Sequence, residues 1–170
     1  QVYMAAAPPE DNLKRIMGGE LGGIVTKNPG LFVEDKVSLS SMEIKRSPLE
    51  FISGVTIPQS GDDAAKKARF SGKHAPVLIF LIDEGDALPK SIYEAIESCM
   101  SGGYARLVIS YNPRSKSNPV YQMARSGNAN VIKLTAFNHP NVLTGRQIVP
   151  GAVDRETTCR RIAEWTRPMI

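Results

Sequence analysis

The residues best suited to chemistry are two adjacent carboxylates, Asp83 and Glu84, which end the apolar run Val77-Leu78-Ile79-Phe80-Leu81-Ile82. An uninterrupted run of this kind reads as a strand buried on both faces. Strands of parallel sheets deliver the residues at their C-terminal ends to the crevice where ligands bind. A carboxylate placed there can hold magnesium beside nucleotide phosphates, largely through water. The next carboxylate leaves the strand at a different angle and can orient a water in line with a terminal phosphate. On this reading Asp83 is the metal partner and Glu84 the base. The competing reading is a pair of carboxylates in a solvated strand-to-helix turn.

Two further segments could complete such a site. Leu107-Val108-Ile109-Ser110-Tyr111-Asn112-Pro113 follows one helix and a turn later, and a right-handed crossover would place it in the same sheet. Asn112 at its tip could bond a phosphate-bound water and report whether the terminal phosphate is present; alternatively, Asn-Pro merely starts a turn. Arg69-Phe70-Ser71-Gly72-Lys73-His74-Ala75-Pro76 precedes the acidic strand. Gly72 permits close backbone approach there, and Lys73 could meet a phosphate, unless the segment is simply a basic surface loop. A phosphate-gripping loop, G-x-x-x-x-G-K-[ST], is what this site needs. The sequence does not contain it, because His74 follows Lys73 and Lys67 stands where the first glycine belongs.

The elements that must position these residues can be read from pattern. Val2–Ala7 reads as a strand broken by Pro8-Pro9, and a helix then carries Leu13, Ile16, Met17 and Leu21 on one face until Gly22-Gly23. Residues 41–45 and 49–56 form an antiparallel hairpin around Arg46-Ser47-Pro48, and residues 58–75 form a loop with at most one helical turn. After the acidic strand, Pro89 starts a helix bearing Ile92, Ile96, Cys99 and Met100, and Gly102-Gly103 closes it. Residues 104–111 read as a strand, 120–125 as a short helix, 130–134 as a strand and 154–166 as a helix. Strands alternating with helices, two of them apolar throughout, predict an α/β fold: a mostly parallel sheet with helices on both faces.

Composition adds exclusions more than function. Of the 170 residues, 42% are apolar and 22% charged, which is ordinary for a globular domain. No run is long enough to predict a membrane span. Cys99 and Cys159 have no metal-ligand spacing, and His74 and His139 are too isolated for a zinc site. A net charge of +4 leans mildly toward a polyanionic partner. The chain opens inside a strand at Gln1 without a basic leader, so an upstream part is expected.

Taken together, these segments resemble the large terminase subunit of tailed bacteriophages and prophages. Met4-Ala5-Ala6-Ala7-Pro8-Pro9 looks like that family's strand-to-helix segment after the phosphate-binding loop. Phe70–Pro76 with the run to Asp83-Glu84 looks like its acidic motif and preceding loop, and Ser110–Ser117 like its coupling motif. Phe137–Val142 has the same flavour, so the resemblance spans most of residues 1–145. It implies a RecA-like P-loop ATPase core lacking its N-terminal P-loop portion. Residues 1–170 would then be a single partial ATPase domain, with the phosphate-binding loop upstream and a nuclease domain downstream.

The function so implied is magnesium-dependent ATP hydrolysis coupled to translocation of double-stranded DNA into a procapsid. Asp83 would bind the magnesium shell, Glu84 would activate water and Asn112 would couple hydrolysis to motion. Lys73 and Arg114 would contact nucleotide phosphates. A neighbouring subunit often supplies an arginine, for which Arg114, Arg125 and Arg146 are candidates. The implied partners are DNA, a small terminase subunit, a portal protein and further copies in a ring, all in the host bacterial cytoplasm. Two other readings are a helicase-like DNA-remodelling ATPase and a non-catalytic module that has kept only the fold. Gly85-Asp86 after the acidic pair departs from the family pattern and leaves the local turn open.

Overall fold

The computed structural model describes residues 1–166 except Pro8 and Gln59. They fall into two compact units, the first Gln1–Asn128 and the second beginning at Ala129.

The first unit is built on one sheet of six strands: β1 (Val2–Ala6), β2 (Lys36–Ser38), β3 (Glu43–Ser47), β4 (Glu50–Gly54), β5 (Val77–Asp83) and β6 (Tyr104–Ile109). Their order is β2-β3-β4-β1-β5-β6. The pairs β4–β1, β1–β5 and β5–β6 are parallel, whereas β2–β3 and β3–β4 are antiparallel. The expected hairpin is thus β3–β4, extended on its outer side by the short β2.

Alternation along the strands assigns the two faces. On one face lie Ala5, Leu78, Phe80, Ile82 and Ala105, packed against Phe70 and against Ile92, Ala95, Ile96 and Cys99 of α4 (Lys90–Cys99). On the other, Ala6 and Met4 pack against Leu13 and Met17. This second layer does not extend across the sheet: Val77, Tyr104 and Val108 are half exposed. The apolar run of β5 is therefore fully buried on one face only, and the expectation of complete burial on both is corrected at this edge.

The helix after β1 runs further than its glycines suggest. α1 (Glu10–Arg15), a π-helical segment (Ile16–Leu21) and α2 (Gly22–Lys27) follow one another without a break. The buried positions are Leu13, Met17 and Gly22. The last interval is five residues, the repeat of a π turn, so the bulge keeps the inward stripe aligned with the sheet. Gly22 faces Leu39 closely enough that a Cβ would lie 3.1 Å from Leu39 Cδ1. The chain leaves helical geometry at Asn28 (φ −131°, ψ 55°), because the residue before Pro29 is disfavoured in the α region. Packing thus overrides the glycine propensity. At Gly18 and Gly19 the glycine serves no such contact, since an added Cβ meets nothing within 4 Å. Gly18→Ala and Gly19→Ala should each raise unfolding stability by about 0.5–1 kcal/mol, measured by urea denaturation.

α3 (Asp63–Ala68) forms where a loop with at most one turn is expected, because Asp62 caps it by accepting from the Ala65 amide at 2.8 Å. It packs against α4 on the first face of the sheet.

The second unit holds α6 (Pro140–Thr144) and α7 (Arg155–Trp165). Asn141 is 1% exposed, and its side chain exchanges two hydrogen bonds with the Val149 backbone, each 2.8 Å. Asp154 caps α7, and the Thr157 amide and hydroxyl hold its carboxyl below the usual carboxylate range. The strand expected at 130–134 is absent: no described strand pairs with it, and Ile132 and Leu134 are 79% and 94% exposed. An apolar run without a ladder partner has no reason to stay extended.

Candidate active site

The acidic pair sits where the topology predicts a crevice. β1 hands the chain to α1 on one face, and the chain returns in β4 on one side. β5 hands it to α4 on the other face, and it returns in β6 on the opposite side. Connections that leave neighbouring strands in opposite directions open a gap outside their carboxyl ends. Asp83 is the last residue of β5 and stands in register with Ala6 of β1.

Three elements converge on this tip. From β1 and α1 comes Asn12, whose Nδ2 donates to the Ala7 carbonyl at 3.1 Å and to Glu84 Oε2 at 3.4 Å. From β6 comes Ser110, one residue past the strand, whose hydroxyl donates to Asp83 Oδ1. The Ser110 backbone adds two bonds, its amide donating to the Ile82 carbonyl at 2.9 Å and its carbonyl accepting from the Gly85 amide at 3.0 Å. From α4 comes Tyr93, whose buried hydroxyl donates to the Gly85 carbonyl at 2.6 Å. Burial, and secondarily the Asp86 carboxylate, push the Tyr93 phenol well above its ordinary value, so it remains a donor.

The sharpness of the turn has a steric origin. Glu84 adopts the left-handed conformation (φ 50°, ψ 41°), uncommon for a residue with a side chain. It swings the Glu84 carboxylate away from the strand direction that Asp83 follows. Gly85 comes next because nothing larger fits: a Cβ would collide with Ile109 Cγ2 and lie 2.8 Å from Tyr93 Oη. The departure at Gly85-Asp86 is thus a close approach of the turn to β6 and α4. A short 3₁₀ turn, Gly85–Ala87, then leads toward α4.

The other sequence candidates are placed differently. Asn112 lies two residues beyond Ser110 and is exposed, on the segment that leaves β6 beside the acidic turn. Arg114 Nε pairs with Asp86 Oδ2 at 3.2 Å. Lys73 is not brought to the cluster. It precedes β5, and its ammonium lies 4.2 Å from the centroid of the Tyr3 ring, whose hydroxyl reaches back to the Gln1 side chain. Tyr3 and Asp83 are three register positions apart along the sheet, roughly 10 Å at strand spacing. Desolvation lowers the Lys73 pKa. Lys73 thus stands at the entry of β5, whereas Asp83 ends it. Arg125 is the last residue of α5 (Pro119–Arg125), and Arg146 belongs to the second unit.

Asn12 and Asp86 are missed by sequence reasoning, as is the bond from Ser110. Ser110 is recoverable from register, since Ile82 opposite Ile109 places it beside Asp83. Nothing in the pattern around Asn12 points to a carboxylate 72 positions away. A cleft of about 460 Å³ lies beside the ends of β1 and β4 and is lined by Glu10, Asp11, Thr56 and Arg69 among others, not by the acidic pair. Among the described residues no three His, Cys, Asp or Glu side chains converge as a metal cage. No helix of the described residues is long and apolar enough to cross a membrane.

No protein-family model and no curated protein matches the sequence. Among solved structures, the large terminase of a thermophilic bacteriophage, in complex with ADP, matches 79% of this chain with a TM-score of 0.54 at 14% identity. The fold is similar to that of part of a phage large terminase. The match covers 32% of that terminase's own chain. The likeness is one of fold, at an identity that carries no residue roles across.

Proposed function

We propose that this chain is the portion of a phage terminase ATPase domain that bears the acidic turn and the coupling segment, and that the full-length protein hydrolyses ATP to drive double-stranded DNA into a procapsid. The observation that carries the proposal is the convergence of Asp83, Glu84 and Ser110 at the carboxyl ends of β5 and β6, in a fold similar to part of a terminase.

The donor set suits magnesium. Asp83 offers hard oxygen beside the Ser110 hydroxyl, and a single carboxylate completed by water and phosphate oxygens is how this ion binds at nucleotide sites. Asp83 would hold it; the chemistry a bound magnesium ion supplies is neutralisation of charge on the phosphates. Glu84 receives the proton of the attacking water, and Asn12, donating to Glu84 Oε2, fixes the carboxylate's direction. Asn112, carried just past Ser110, senses the terminal phosphate. The phosphate grip itself would come from a glycine-rich loop N-terminal to Gln1. DNA contacts would fall mainly on phosphates, making them salt-sensitive and indifferent to sequence.

The test is steady-state ATP hydrolysis by the full-length protein with magnesium, with and without duplex DNA. Hydrolysis stimulated by duplex is the expected result. Strand separation on a forked duplex would replace the packaging reading with a helicase. Absence of hydrolysis, together with an upstream sequence lacking a G-x-x-x-x-G-K-[ST] loop within about 50 residues of Gln1, would leave a non-catalytic module.

A further inference from the structure

An ion pair beside the acidic turn is used by none of the roles proposed above. Asp86 is a carboxylate with 3% side-chain exposure, and its ionic partner is Arg114, 67% exposed, at 3.2 Å. Only Oδ2 is engaged; Oδ1 is buried and meets no donor among the described residues. Burying a half-satisfied carboxylate costs stability, so the turn retains it against its own interest. Asp86 also holds the far end of the same segment, because Asn118 Nδ2 donates to the Asp86 carbonyl. Asn118 in turn caps α5 by accepting from the Val120 amide at 2.9 Å. Residues 110–118 are therefore pinned to the acidic turn at three points: Ser110 on Gly85 and Asp83, Arg114 on the Asp86 carboxylate, and Asn118 on the Asp86 backbone. Exposed Asn112 lies between the first two.

We infer that Arg114 is a positioning residue, clasping the Asn112 segment to the acidic turn through Asp86, and that it does not act on a neighbouring subunit's phosphate. To reach another subunit it would have to abandon a buried carboxylate with no replacement donor, the costly half of breaking such a pair. The clasp makes the turn that carries Glu84 and the segment that carries Asn112 one body at this point. Its kinetic consequence rests on the ATPase reading; the clasp itself does not.

The experiment uses the full-length protein with Arg114→Gln, Asp86→Asn, the double variant and Arg114→Lys. Each of the first two should lower kcat about tenfold, less than the roughly hundredfold that a 1 Å misplacement of a reacting group can cost, with KM for ATP unchanged. The double variant should also fall about tenfold, because residues acting as one unit are non-additive. Arg114→Lys should recover most of the rate, since a lysine can still donate to Asp86 but cannot reproduce a forked grip on phosphate. A double variant falling about a hundredfold, the product of independent effects, would overturn the inference. So would an Arg114→Lys variant as slow as Arg114→Gln. A second measurement needs no nucleotide: amide hydrogen exchange in 111–118 should quicken in Arg114→Gln while that of 77–82 does not. Unchanged exchange in 111–118 sinks the clasp even if the enzyme is active. Quickened exchange in a protein that never hydrolyses ATP keeps the clasp and removes the ATPase reading. Arg114 is exposed, so its variants carry the test should Asp86→Asn fail to fold.

Discussion

Glu84→Gln should reduce ATP turnover by about 10²–10⁴-fold, the usual contribution of a positioned general base, while leaving nucleotide binding and unfolding stability unchanged. The expectation of intact stability comes from the geometry. Glutamine has the same shape as glutamate, and its amide oxygen can still accept from Asn12 Nδ2, which lies 3.4 Å from the Glu84 carboxylate. The left-handed backbone at residue 84 costs of order 1–3 kcal/mol in either variant. It is maintained by neighbours that the substitution does not touch, namely the Gly85 amide on the Ser110 carbonyl and the Tyr93 hydroxyl on the Gly85 carbonyl. What glutamine cannot do is accept a proton from water. Steady-state hydrolysis and an equilibrium nucleotide titration on the same preparation separate the two effects. Wild-type turnover in Glu84→Gln would remove this residue from the chemistry and return the acidic pair to an ordinary strand-to-helix turn.

How much of this was legible in sequence depends on the range over which each signal acts. The acidic tip is local: an apolar run that stops at two carboxylates predicts a buried strand and its exit, and β5 is Val77–Asp83. The crossover to β6 is nearly as local, because one helix and a turn fix its place beside β5. Beyond that range pattern loses its hold. Gly22-Gly23 reads as a helix stop, yet Gly22 packs within the helix against Leu39, and the stop comes at Asn28, the residue before Pro29. Residues 130–134 look like a strand, and a strand requires a partner that the run itself does not encode. Lys73 precedes the acidic strand closely in sequence and is therefore far from the acidic tip in space, since the whole length of β5 separates them. Asn12 and the Asp86–Arg114 pair are decided by tertiary placement alone, where polar side chains from distant segments meet around one turn.

Phe80→Ala is expected to do the converse of Glu84→Gln: a loss of about 3–5 kcal/mol of stability, the range for a buried aromatic truncated to alanine, with activity per folded molecule retained. Phe80 is 0% exposed and lies in β5, which pairs with β1 on one side and β6 on the other. Its ring stacks on Tyr3 at 5.7 Å between centroids and 23° between planes, and meets Phe70 at 6.5 Å and 50°. Tyr3 packs edge-on against Phe51 in turn. Removing the ring opens a void that cannot collapse easily, because its surroundings include Tyr3, held in the sheet ladder, and the core cluster that α4 closes. Domains of this size hold roughly 5–15 kcal/mol in all, so the variant sits near the edge of folding. Phe80→Leu, which refills most of the space, should lose much less. Urea denaturation with an unchanged slope would establish the loss as one of stability. Phe80 points to the face away from Met4 and Leu13, and the Asp83–Ser110 and Glu84–Asn12 contacts do not involve it. Ligand that binds only the folded state should therefore draw Phe80→Ala back toward wild-type turnover as its concentration rises, and no concentration of ligand should rescue Glu84→Gln. A Phe80→Ala protein that is folded at saturating nucleotide yet inactive would mean that the packing behind β5, and not the acidic tip alone, sets the geometry of the reacting groups.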